Sequence, residues 1–191
     1  MLFLVRHGQT AANAAGLFLG RADPPLTDIG RRQADAIAAA LPRPGRVVSS
    51  PLLRARDSAA AFGLPVEVDE RWIEMDYGTL DEQPVASLAS ADWQRWRADV
   101  HHAPGGGESV AAVGQRVRKA CAAAATDAGR MHVVVVSHVS AIKAAIAWAL
   151  GAGDEIAWRM WVDDAAVCRI AVGPEGPVLH SFNEPTHQLK D

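Results

Sequence analysis

Met131-His132-Val133-Val134-Val135-Val136-Ser137-His138 is the stretch that decides the fold. Its apolar residues run without alternation, so 131–136 is predicted as a strand buried on both faces. After it, Ile142, Ala145, Ile146 and Ala149 recur at helical spacing, and Gly151 supplies a stop. Before it, Val110, Val113, Val117 and Cys121 mark a long amphipathic helix ending near Gly129. A buried strand between two helices is the unit of a parallel sheet with helices on its faces.

The same alternation runs from the N-terminus. Leu2-Phe3-Leu4-Val5 reads as a short buried strand. A helix is expected from about Thr27 to Leu41, capped by Thr27, with Ile29, Ala34, Ile37 and Leu41 inside and Pro42 as its stop. Arg46-Val47-Val48-Ser49 is the next strand. Ser50-Pro51 is expected to open a helix, serine as cap and proline in the first position, with Leu52, Ala55, Ala59 and Phe62 buried. Val66-Glu67-Val68 is a third strand, and two more are expected at 165–172 and 177–182 around the Gly173-Pro174-Glu175-Gly176 turn. Residues 69–107 are irregular, with a short helix near 91–99. The fold class is α/β: a three-layer αβα sandwich on a mostly parallel sheet. It is read as one domain, 1–191, with 69–107 as a variable lid or substrate segment.

Composition narrows the function. A formal net charge of −3 gives no basic field for a nucleic-acid partner. No segment reaches the roughly 20 apolar residues that span a bilayer, so no membrane partner is expected. Leu2 to Val5 is too short for a signal peptide. Cys121 and Cys168 are isolated and read as buried thiols in a reducing compartment, which points to the cytoplasm. A homodimer stays open.

In open parallel sheets ligands bind beyond the carboxyl ends of the strands. There the first strand runs into Arg6-His7-Gly8, the second into Ser49-Ser50 with Arg54 one turn on, and the valine strand into Ser137-His138. Two histidines and two arginines thus gather at one sheet edge. Guanidinium binds phosphate oxygens two at a time, and imidazole offers a lone pair near neutral pH. No acidic cluster is placed for magnesium and no Cys/His spacing suits zinc. The set suits phosphoryl transfer with arginine in place of a metal, and no cofactor is expected.

Leu4-Val5-Arg6-His7-Gly8-Gln9-Thr10 followed by Asn13 resembles the signature of the histidine phosphatase superfamily, the phosphoglycerate-mutase-like proteins. The resemblance continues through Gly20, Asp23-Pro24-Pro25-Leu26-Thr27, Gly30, Ser49 to Ala55, Glu74 with Tyr77-Gly78, Gly106-Gly107-Glu108-Ser109 and Ser137-His138. It implies that His7 is the nucleophile and that His138 hydrogen-bonds the transferring group. Arg6, Arg54, the Asn13 amide and the Val139 N–H would hold its oxygens, with Gly20 beside the substrate. Glu74 matches the proton donor, with Asp76 and Glu82 as nearby alternatives. Leu80-Asp81-Glu82 stands where the family often has Trp-Glu-Gly, and Val139-Ser140 where it often has Gly-Gly. His138-Val139-Ser140-Ala141-Ile142-Lys143 resembles a subgroup near the α-ribazole phosphatases and the phosphatase half of ribonuclease H fusions; acid phosphatases are also close. The partner implied is a small phosphorylated metabolite.

Blander readings stand beside these. Helical periodicity turns Arg54 toward solvent unless a ligand meets it. His138 could be a satisfied core histidine, Glu74 a surface carboxylate, and Asn13 a cap. Gly105-Gly106-Gly107 reads as a flexible lead-in to the long helix. Trp93 and Trp96 are core anchors or part of a lid. His101-His102 reads as surface, Arg56 as structural, and His132, His180 and His187 have no assigned role. The competing functions are a phosphomonoesterase, a phosphoglycerate-type mutase and a non-catalytic phospho-ligand binding protein.

Overall fold

The valine run forms a strand, Val133–Ser137, whose five residues are all buried in this computed structural model, which describes residues 1–185. In chain order the strands are β1 (Leu2–Arg6), β2 (Arg46–Ser49), β3 (Val66–Val68), β4 (Val133–Ser137), β5 (Val167–Gly173) and β6 (Gly176–Glu184). They make one sheet in the order β3-β2-β4-β1-β5-β6. β3, β2, β4 and β1 run parallel; β5 and β6 are antiparallel additions. The helices are α1 (Ala11–Ala14), α2 (Asp28–Ala40), α3 (Leu53–Ala60), α4 (Ser90–Ala98), α5 (Val110–Ala128) and α6 (Val139–Leu150).

Strand alternation sorts the core into two layers. Leu2, Leu4, Val133 and Val135 pack with Val117 and Cys121 of α5 and Ile142 and Ile146 of α6. Phe3, Val5, Val134 and Val136 pack with Ile37 of α2 and Ala55 and Ala59 of α3. The continuous apolar runs are therefore needed, because both faces of each strand are covered. This is the expected three-layer αβα arrangement. Burial pushes the Cys168 thiol up to about 11 and the Cys121 thiol higher still. Among the described residues no helix is long and apolar enough to cross a membrane.

Local patterns misread several positions. The valine strand begins at Val133, not Met131, which is exposed. Ile29 is also exposed; the inward positions of α2 are Gly30, Ala34 and Ile37. Gly30 takes that place because it packs on Gly8-Gln9, where a side chain would run into backbone. Ser50 does not cap α3, which begins at Leu53. Its N–H still pairs with the Val136 carbonyl at 3.0 Å, and the Asp23 carboxylate takes the Leu53 N–H at 2.8 Å instead. The three glycines are not a loose lead-in. A side chain at Gly107 would strike the Asp76 carbonyl, and one at Gly78 the Gly105 carbonyl. The two loops are stitched together, with the Glu108 N–H donating to the Asp76 carbonyl at 2.8 Å.

Candidate active site

The register of the sheet brings distant residues together. Arg6 pairs with Ser137 across β1 and β4, so the next residue on each chain, His7 and His138, leaves the sheet beside the other. The His7 N–H donates to the Ser137 carbonyl at 3.0 Å, and the imidazole centroids lie 5.0 Å apart. β2 ends at the same edge, and there the Ser50 Oγ lies 2.6 Å from His138 Nε2. His138 also caps α6 with its backbone. His7, His138 and Arg54 are all buried.

The hydrogen bonds fix the His7 tautomer. Its Nδ1 lies 2.7 Å from the Gly8 carbonyl, which can only accept, so Nδ1 carries the proton. Its Nε2 accepts from the Arg54 Nε–H at 3.2 Å and therefore presents a lone pair. Burial, then the charges of Arg54 and Arg6, hold His7 well below the usual imidazole range; the Gly8 bond opposes them. Burial and the Arg54 charge do the same to His138. Both rings are neutral near pH 7. His138 Nδ1 is buried without a partner among the described residues, as expected of a polar atom that meets a ligand.

Arg54 is buried beneath the 19–22 loop and does not face solvent. It donates to the carbonyls of Ala22 at 2.7 Å and Gly20 at 2.9 Å. Burial lowers its pKa, with Glu74, Asp23 and Asp81 acting in opposition. Ser58 ties this helix to the first loop, accepting from the Gly8 N–H at 3.0 Å and donating to the Arg54 carbonyl at 2.8 Å. Arg6 is held by Asp164 at 2.6 Å and the Val162 carbonyl at 2.7 Å. Its Nε is buried and unpaired among the described residues.

Glu74 is buried at the start of α6 and accepts from the Met75 N–H at 2.7 Å and the Ser140 N–H at 3.2 Å. Of its two sequence rivals, Asp76 closes a turn on the Gly78 N–H at 2.8 Å, and Glu82 is exposed with a φ of 62°. Asn13 does act as a cap partner, its Oδ1 accepting from the Thr10 N–H at 3.0 Å. It also lines an open cavity with Arg6 and Val139. Gly20 is met by Arg54 through its carbonyl.

Sequence reading missed three supports. Asp81 accepts from the N–H groups of Gly20 at 2.7 Å, Arg21 at 2.8 Å and Ala22 at 2.8 Å, shaping the loop whose carbonyls receive Arg54. Its signal was the carboxylate kept at the middle of Leu80-Asp81-Glu82. Ser50 was placed at its strand end and read as a cap, without its bond to His138. Asp164, the partner of Arg6, had no signal. Trp96 is buried in the core, and Trp93 packs beside it. His101 is exposed, His102 half-buried, His132 packs edge-on to Phe3 and His180 is exposed; His187 lies outside the described residues.

A sheet edge that presents two neutral imidazoles beside the guanidinium groups of Arg6 and Arg54 is suited to holding a phosphoryl group. Comparison with known proteins agrees. Residues 2–185 match the model of the histidine phosphatase superfamily (branch 1), and the chain belongs to that family. It is 38% identical over 176 residues to the bifunctional protein Rv2228c of Mycobacterium tuberculosis, covering 87% of this chain and 48% of the relative. The chain thus spans about half the length of that relative. It is 31% identical over 180 residues to a probable phosphoglycerate mutase, GpmB, of Yersinia enterocolitica, covering 88% of this chain and 83% of the relative. The crystal structure of the α-ribazole phosphatase of Shigella flexneri superposes with a TM-score of 0.83 at 30% identity, covering 96% of each chain.

Proposed function

We propose that the protein is a cytoplasmic, metal-independent phosphomonoesterase that hydrolyses a small phosphorylated metabolite through a phosphohistidine on His7. One observation carries this reading: the Nδ1–H of His7 is fixed on the Gly8 carbonyl, so its Nε2 lone pair is held neutral and aimed at a buried guanidinium.

His7 Nε2 attacks phosphorus as the bond to the alcohol oxygen breaks, and Glu74 gives that oxygen a proton. Glu74 then takes a proton from water while the water oxygen attacks phosphorus, and the N–P bond breaks to restore neutral His7. Arg6 and Arg54 carry the charge of the equatorial oxygens. Arg54 would exchange its bonds to His7 Nε2 and to the loop carbonyls for bonds to phosphate, which frees the Nε2 lone pair for the attack, whereas Arg6 has a spare Nε–H. The unpaired His138 Nδ1 supplies a further donor when the Ser50 hydroxyl donates to Nε2. The Val139 N–H and the Asn13 amide complete the cradle.

The test is rapid quenching with radiolabelled aryl phosphate. Label on the protein should be stable in base, labile in acid and absent from His7→Gln, and turnover should survive EDTA. Acid-stable label, or activity lost to EDTA and restored by metal, defeats the reading. The likeness to a phosphoglycerate mutase supports a second outcome, in which the same phosphohistidine gives its phosphoryl group to another hydroxyl. A coupled assay with phosphoglycerate and its bisphosphate separates them: isomerisation outrunning phosphate release favours the mutase. Tight phosphate binding with no turnover would favour a non-catalytic protein.

A further inference from the structure

Two cavities meet at Lys143. One is the open cavity of Arg6, Asn13 and Val139. The other is a chamber of about 140 Å³ walled by Phe18, Tyr77, Trp93, Trp96 and Trp158. Val139 and Lys143, one turn apart on α6, line both. The chamber also adjoins Glu74, because Met75 and Ser140, whose N–H groups hold that carboxylate, form part of its wall. An alcohol that leaves phosphorus and collects a proton from Glu74 therefore departs toward aromatic rings.

These rings are already assembled. Trp93 and Trp96 stack at 11° with centroids 5.4 Å apart, and Trp158 stands edge-on to both. A preformed apolar wall favours a flat apolar guest, since little ordering is left to be done on binding.

Two charged residues stand in that wall, Asp154, whose carboxylate is taken by Arg118, and Lys143. The neighbouring arginines are committed: Arg6 to Asp164, Arg116 to Glu108 and Arg118 to Asp154. Lys143 is half-buried, and among the described residues no hydrogen-bond or ion-pair partner reaches its ammonium. Burial lowers its pKa, while the charge of Glu74 pulls the other way. A half-buried ammonium with no close partner is costly unless something completes it.

We propose that Lys143 is a specificity-determining residue, and that the preferred substrate is a phosphomonoester whose alcohol carries a flat apolar group for the aromatic chamber and a carboxylate for the Lys143 ammonium. This rests on the phosphatase reading above.

The test compares phenyl phosphate with its 2-, 3- and 4-carboxyphenyl analogues. The best carboxylated isomer should exceed phenyl phosphate in kcat/KM by about tenfold or more, chiefly through KM. Lys143→Met should collapse that ratio toward one, and Lys143→Arg should retain most of it. No preferred isomer, or a ratio unchanged in Lys143→Met, overturns the proposal; so does an equal loss on both esters, which would mean that Lys143 acts through Glu74 or the phosphoryl group. If Lys143→Met fails to fold, the wild-type and Lys143→Arg ratios still decide. Calorimetric titration of the wild-type protein with benzylphosphonate and its carboxylated analogues needs no turnover. Preference there without hydrolysis sinks the phosphatase reading alone, and hydrolysis without preference sinks the Lys143 assignment alone.

Discussion

His7, Ser50 and His138 each sit one residue beyond the end of a paired strand, whereas Tyr77, Trp93 and Trp96 hang from residues 69–107, a segment without a strand. The floor of the site is placed by backbone hydrogen bonds in the sheet, with the Ser137 carbonyl accepting from His7 and the Val136 carbonyl from Ser50. The aromatic wall is placed by ring packing and by close backbone contacts of Gly78 and Gly107. A sheet register admits no gradual change, because a slip of one residue reverses every side chain. Ring packing can be rebuilt by swaps that conserve volume. On the phosphatase reading the nucleophile and the phosphate clamp belong to the floor, the choice of substrate to the wall, and Glu74 stands where they meet.

The largest effect should separate the two outright. His7→Ala should lower phosphate release from any aryl phosphate by about four orders of magnitude or more. Its thermal midpoint should fall only modestly, since the Arg54 Nε–H loses its acceptor but the guanidinium keeps the carbonyls of Gly20 and Ala22. Residual turnover close to wild type would show that another group is the nucleophile. Next in size is Arg54→Lys, expected to lose about 10²–10³ in kcat/KM. Lysine keeps the charge but cannot serve His7 Nε2 and the carbonyls of residues 20 and 22 from one planar fork. Near-normal kcat/KM in that variant would mean that the fork geometry is not used.

The floor should also be the part that feels acid. Unfolded imidazole titrates near pH 6.5, and burial with two arginines holds His7 and His138 well below that when folded. Below about pH 6.5 the unfolded chain binds protons that the native site refuses. Stability is thus complete above that pH and is lost as pH falls toward the folded values, at about 1.4 kcal/mol per pH unit for each ring. Denaturant melts at pH 7.5, 6.5 and 5.5 should show the decline, and His138→Gln should remove about half of it. An unaltered slope in that variant would move the effect to other groups. Tyr77 in the wall adds no such dependence, since burial raises its phenol and keeps it protonated throughout.

The same division explains what could be read from sequence. The valine run and its flanking helices disclose the layers because both faces of the strands must be apolar. His7, Arg54 and His138 stand out at strand ends, and the ordered motifs made the family legible. Ser50 was taken for a helix cap because Ser-Pro is a local pattern; its bond to His138 crosses 88 positions. Arg54 was turned to solvent by helical periodicity, which knows nothing of the 19–22 loop above it. Gly105 and Gly107 suggested looseness for the same reason, since the backbone that needs their small size belongs to residues 76–80. Local chemistry is written locally. Contacts between loops are not, and the wall is made of such contacts.

The smallest predicted effect falls on the boundary. The Tyr77 hydroxyl lies 3.1 Å from the Ser140 Oγ, and Ser140 N–H donates to Glu74. Tyr77→Phe keeps the ring in the chamber and deletes one hydrogen bond, a loss of about 0.5–1.5 kcal/mol of stability. If wall and floor are independent, kcat on phenyl phosphate should stay within about twofold of wild type, because a change of that size is within 0.5 kcal/mol of barrier. If the bond aligns α6 against Glu74, kcat should fall further while KM holds, and Ser140→Ala should reproduce the fall. A double variant no worse than either single one would then place both residues on one route from wall to proton donor. That result would end the separation drawn here, since the residues that choose the substrate would also set the proton that releases it.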